Sequence, residues 1–147
     1  MDDFVIPLLW ASFLYLLTLG PLIALVLTIS TCILRWFGDA IKPQSLGKTF
    51  ATFWATAWVH FVICFATFLA APIMLDERYG ILVFQLLTFL LPVVLLTVIV
   101  KPTALQAILS YILLVPMNVF AFLVIAFYSF PAAGLPFYED PSIFFSR

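Results

Sequence analysis

The chain has 147 residues, 66% of them hydrophobic and only 9% charged, against roughly 45–50% apolar and about 25% charged in soluble domains. No water-soluble core accounts for that excess, and 17 phenylalanines require lipid or other membrane proteins to cover them. The net charge of −1 is uninformative, but the charges gather in short segments between long neutral runs, and those segments read as loops.

A membrane-crossing helix needs about 20 apolar residues. Four stretches meet that requirement, at about 7–34, 49–75, 80–100 and 103–130. The expected fold is all-α: one integral membrane domain spanning residues 1–147, built as a bundle of four antiparallel transmembrane helices. An even number of spans puts both termini on one side.

The first run follows Asp2-Asp3 and stays uncharged as far as Arg35. It has neither a basic leader nor a small-residue cleavage pattern, so it reads as a retained helix. It is longer than the hydrocarbon layer requires and is expected to tilt or bend. Gly20-Pro21 is the natural bend, because proline lacks the amide that would bond the Leu17 carbonyl. Tyr15, Thr18, Thr28 and Thr31 read as ordinary packing residues of this helix.

The loop 35–48 mixes turn residues with Trp36 and Phe37, which suit the headgroup layer. The second helix then carries His60, the only histidine, near its middle. Thr52, Thr56, His60 and Cys64 recur every fourth residue and form a slowly winding polar ridge, while Phe50, Phe53, Trp54, Ala57, Trp58, Phe61 and Phe65 supply much of the remaining surface. An ionisable ring at mid-bilayer depth is costly unless it faces protein or water, so the ridge is the inward face. Cys32 and Cys64 belong to different depths, which argues against a disulfide between them.

The connections at Asp76-Glu77-Arg78-Tyr79 and at Lys101-Pro102 are tight, so successive helices are expected to be antiparallel neighbours. Pro72, Pro92 and Pro116 place a weak point in each of the later helices, which membrane helices tolerate. Pro92 in the third helix is expected to open a carbonyl to one of the polar residues there, among Gln85, Thr88 and Thr97. Beyond Phe130 the tail 131–147 is proline-rich yet retains Phe137, Tyr138, Ile143, Phe144 and Phe145. Either it lies in the membrane interface as an aromatic belt, or it docks on a partner or on its own helices.

Orientation follows from the basic residues beside the helix ends. Arg35, Lys42, Lys48 and Lys101 lie on one side and only Arg78 and Arg147 on the other, which places both termini on the non-cytoplasmic face. Three acidic pairs, Asp2-Asp3, Asp76-Glu77 and Glu139-Asp140, then share that outer face. They either keep the surface wet or attract a cation or a basic partner. A bacterial inner membrane, or an organelle inner membrane, is the expected location.

Chemistry within the membrane rests on few residues. His60 and Asn118 occupy the middles of the second and fourth helices, and Tyr111 lies seven residues before Asn118 on nearly the same face. Thr56, His60, Tyr111 and Asn118 therefore form a candidate midplane cluster. Its plainest role is hydrogen bonding between helices; a proton or ion path is the sharper alternative. As metal or haem ligands, His60 and Cys64 are too few without a ligand from another chain, and Met117 is the only nearby candidate for a mixed haem pair. The acids sit at the surface, about 15 Å from the bilayer midplane, so no catalytic set assembles around the histidine. No nucleotide-binding glycine pattern is present, and no cofactor, nucleic acid or soluble small-molecule substrate is inferred.

The expectation is a non-enzymatic membrane subunit whose partners are the bilayer and other membrane subunits or copies of itself. A conducting oligomer that uses the outer acids and the His60 ridge is the alternative. An electron-transfer subunit, with a ligand supplied partly by another chain, is the third.

Overall fold

The computed structural model describes residues 2–36, 45–74, 76–100 and 103–130, and the elements formed by these residues are all helical. They are α1 (Asp2–Leu17), α2 (Leu19–Trp36), α3 (Leu46–Met74), α4 (Glu77–Leu95) and α5 (Ala104–Val124). α4 and α5 each run on into a π-helical turn, Leu96–Val100 and Ile125–Ser129. Four stretches, Leu19–Trp36, Leu46–Ala70, Arg78–Ile99 and Ala104–Ser129, are long and apolar enough to cross a membrane. Val5–Leu17 is a shorter apolar helix.

Where the sequence reads one span over 7–34, the chain forms two helices that meet at Thr18. Pro21 explains the break, since it cannot donate to the Leu17 carbonyl one turn earlier. The last turn of α1 remains intact up to that point. The Thr18 amide bonds the Leu14 carbonyl at 3.0 Å, and its hydroxyl reaches the same oxygen at 2.5 Å. Gly20 is buried at the joint for a steric reason: a Cβ there would lie 2.9 Å from the Tyr15 carbonyl oxygen and 3.1 Å from Trp54 Nε1 of α3. Only glycine allows this approach without displacing backbone.

α3 is the central element and packs against α1, α2, α4 and α5. Two strips of it are buried. One is the polar ridge at Thr56, His60 and Cys64, whose first member Thr52, expected inward with them, is only half-buried; the other is Phe53, Ala57, Phe61 and Phe65, expected from sequence on the remaining surface. Both are covered because α1, α2, α4 and α5 all pack against α3, with α5 reaching Ala57 and Phe65 on one strip and His60 on the other. Phe61, Phe65 and Phe68 recur at the spacing that stacks side chains along a helix face. Tyr15 lies flat on Phe61 with ring centroids 4.1 Å apart, and Phe65 meets Phe122 at 5.4 Å and Phe130 edge-on at 5.5 Å. Ile125 continues the buried face of α5 through Leu114, Asn118 and Ala121, and the π turn that follows sets Phe130, five residues on, on that same face in the core.

The outer faces are apolar. Leu9, Phe13, Leu22 and Ile33 on α1 and α2, Leu82, Leu86, Leu90 and Val94 on α4, and Ile108, Ile112 and Phe120 on α5 are all exposed. A water-soluble protein does not leave so continuous an apolar exterior, and bilayer lipid is the solvent that suits it.

Candidate functional site, a buried polar cluster

His60 sits midway along α3 and is 1% exposed. Its partners follow from a proline on the neighbouring helix. A helical carbonyl normally accepts the amide four residues on, and for Thr88 that residue is Pro92, which has no N–H. The Thr88 carbonyl is thereby left to a donor outside its own helix, and His60 Nε2 lies 3.2 Å from it. The opening that Pro92 creates is filled from α3.

The other ring nitrogen faces α5. Asn118 Nδ2 donates to His60 Nδ1 at 2.7 Å and to the Ala57 carbonyl at 3.2 Å, while the Tyr15 hydroxyl donates to Asn118 Oδ1. These contacts orient the amide, because turning it over would set its oxygen against the Ala57 carbonyl, acceptor against acceptor. With an amide donor at Nδ1 and a carbonyl at Nε2, the hydrogen-bonding pattern assigns the neutral imidazole with its proton on Nε2. One connected set of bonds thus joins α1, α3, α4 and α5 at Tyr15, His60, Thr88 and Asn118.

Around this set the remaining groups are paired locally. The Thr88 hydroxyl donates to the Phe84 carbonyl at 2.8 Å and has the Cys64 sulfur at 3.9 Å. Tyr111 donates to the Phe89 carbonyl at 2.9 Å, one residue along α4 from the opening at Thr88, and so clips α5 to α4 at the edge of the bundle. Thr56 is buried, but its hydroxyl bonds the Thr52 carbonyl of its own helix at 2.8 Å.

Of the four residues proposed from sequence as a midplane cluster, the structure brings His60 and Asn118 into contact. Tyr111 and Thr56 are bonded elsewhere. Tyr15, read from sequence as ordinary packing, and the Thr88 carbonyl complete the network; the carbonyl opened by Pro92 goes to His60 of α3, where the sequence suggests Gln85, Thr88 or Thr97. The spacing of Thr88 to Pro92 was the usable signal, since it names the carbonyl that a partner must satisfy.

Among the described residues, no group of three or more histidine, cysteine or acidic side chains gathers as a metal site. Cys64 is buried on the same face as His60. Asp76 is exposed just ahead of α4. Asp2 and Asp3 begin α1 and Glu77 begins α4, while Glu139 and Asp140 lie outside the described residues, as does the tail 131–147.

A cavity of about 150 Å³ adjoins the cluster, and its wall is made by His60, Cys64, Thr88 and Asn118 together with Phe61, Phe84, Phe122, Val119 and Leu123, the last two exposed on α5. The polar atoms on that wall are already bonded to one another or to backbone, so the cavity is lined by carbon and sulfur. A second, larger groove of about 670 Å³ runs between α2 and α3 and is also apolar, with Leu25, Ile29, Cys32, Ile33 and Phe50 among its walls. Both are spaces for apolar groups and offer no free donor or acceptor to a polar substrate.

Compared with family models, curated proteins and solved structures, the chain matches none of them. What the site does must be argued from its chemistry. The bonds run from the Tyr15 hydroxyl through the Asn118 amide and the His60 ring to a backbone carbonyl. A carbonyl has no proton to hand on, and an amide holds its own tightly, so the series is suited to fixing helices against one another.

Proposed function

We propose that this chain is a non-enzymatic integral membrane subunit, with its four spans antiparallel and both termini on the non-cytoplasmic face, that packs in a larger membrane complex or with copies of itself. The observation that carries the reading is how the ionisable ring at mid-span is used. Both nitrogens of His60 are engaged by neighbouring helices. A ring held in this way organises a bundle and leaves no lone pair for a metal or a substrate.

The exterior supports an interaction role. Ala51 and Ala55 stay exposed one turn apart on α3, beside partly buried Phe50 and Trp54, and small residues at this spacing permit close helix approach in lipid. The excess of basic residues around loop 35–48 and Lys101 supports the proposed orientation, and a bacterial inner membrane is the location that suits it.

Purification of the intact chain in mild detergent, followed by native mass measurement, tests the proposal. The expected result is a multiple of the chain mass or a stable complex with another membrane protein. A lone chain under all mild conditions refutes it. Ion flux in liposomes that disappears in His60→Ala, in a variant that still folds, would replace it with a conduction role.

A further inference from the structure

We infer that Gln106, Ser110 and Thr31 line a water-holding pocket between α5 and α2 that enters from the start of α5 and stops at Leu114. Gln106, Ser110 and Thr31 are each 1% exposed. The Gln106 amide nitrogen donates to Thr31 Oγ1 at 3.0 Å, and the Thr31 hydroxyl in turn donates to the Leu27 carbonyl at 2.9 Å. Among the described residues, no protein group pairs with Gln106 Oε1 or with Ser110 Oγ.

Turning the Gln106 amide over does not help. The Thr31 hydroxyl has one proton for either Leu27 or the glutamine, and the amide nitrogen would then be the unpaired end. A buried amide therefore keeps one open end in either orientation, and a hydroxyl with the same need stands one turn along the same face of α5. Water is the ligand that fits, since it can donate to the amide oxygen and exchange a hydrogen bond with the hydroxyl. A divalent cation does not fit a set of neutral oxygens that lacks a carboxylate. The site is also near a source of water: Gln106 lies in the first turn of α5, where its backbone amide donates to the capping Thr103 hydroxyl at 3.3 Å.

The same strip of α5 continues through Leu114 to Asn118, both buried. Asn118 carries the same amide group about 18 Å further along the helix, yet the protein satisfies both its oxygen and its nitrogen. Leu114, fully buried between them, separates the wet end from the dry latch around His60.

Asn118 is the only asparagine in the chain, and Gln44, Gln85 and Gln106 are the only glutamines. Side-chain ¹⁵N labelling of Asn and Gln in the full chain in lipid nanodiscs therefore gives a simple spectrum, in which Gln106→Leu assigns one signal. Magnetisation transfer from water is expected at the Gln106 side-chain amide and not at Asn118. No transfer at Gln106 overturns the pocket, and transfer at both residues overturns its closure at Leu114. In Leu114→Ser the Asn118 amide should gain transfer from water; a folded variant in which it stays dry also overturns that closure. If this variant does not fold, the comparison of Gln106 with Asn118 in the unaltered chain still decides the matter.

Discussion

Asn118→Ala is the most informative perturbation of the buried cluster. The asparagine side chain takes part in three hydrogen bonds, to Tyr15, His60 and the Ala57 carbonyl. Side-chain hydrogen bonds between membrane helices contribute about 0.6 kcal/mol on average and at most about 1.7, so three of them put the loss at about 2 kcal/mol. Leaving the Tyr15 hydroxyl and a His60 nitrogen without partners pushes the cost upward, because both groups are almost wholly buried. His60→Phe keeps a ring of similar bulk and removes the bonds to Asn118 and to the Thr88 carbonyl, for a loss of about 1 kcal/mol on the same scale. The two residues share a bond, so the double variant should lose less than the sum of the singles, by about 0.6–1.7 kcal/mol. Reversible unfolding of the purified chain in mixed micelles, with a rising fraction of denaturing detergent, measures all four corners of the cycle. Additive losses, or an Asn118→Ala cost below about 0.3 kcal/mol, would refute the connected network.

The His60 tautomer is open to direct observation: imidazole ¹⁵N spectra should show the proton on Nε2 and a bare Nδ1, and a proton on Nδ1 would contradict the assigned orientation of Asn118. Pro92→Ala restores a backbone donor for the Thr88 carbonyl, so His60→Phe should cost less in that background than in the unaltered chain, by about 0.6 kcal/mol, and an unchanged cost would contradict the role given to Pro92. Gly20→Ala places a methyl 2.9 Å from the Tyr15 carbonyl oxygen and should destabilise the chain by about 1–3 kcal/mol in the same unfolding assay, as overpacked cores do. Tyr111→Phe removes one bond at the edge of the bundle, so its cost should be about 0.6 kcal/mol and should add to that of Asn118→Ala without coupling.

The composition and the placement of charges were enough to set the class of this protein. Apolar runs of spanning length leave a helix as the economical answer, because in lipid each backbone amide must be satisfied within the chain. The periodicity of α3 also marked the ridge of Thr52, Thr56, His60 and Cys64 as inward, since burial of a mid-depth histidine against protein avoids the cost of facing acyl chains, and three of the four are buried while Thr52 is half-buried. Pro21 and Pro92 were legible for a similar reason: a missing amide is a local fact, and it names the carbonyl left open.

Which group would take each open carbonyl was not a local matter. The Thr88 oxygen could have met water, a hydroxyl or an imidazole, and only the packing of α4 on α3 assigned it to His60. Tyr15 is another case, because a tyrosine on an apolar helix reads the same whether its hydroxyl reaches the interface or the bundle centre. The close approach at Gly20 and the bend at Pro21 accompany its placement against Phe61 and Asn118. The periodicity of α3 could likewise say that Phe53, Ala57, Phe61 and Phe65 share a strip, but not that the strip would be covered. In a chain this apolar, lipid and protein are nearly equal solvents for a phenylalanine, and contact with other helices, which only the tertiary fold supplies, decides between them.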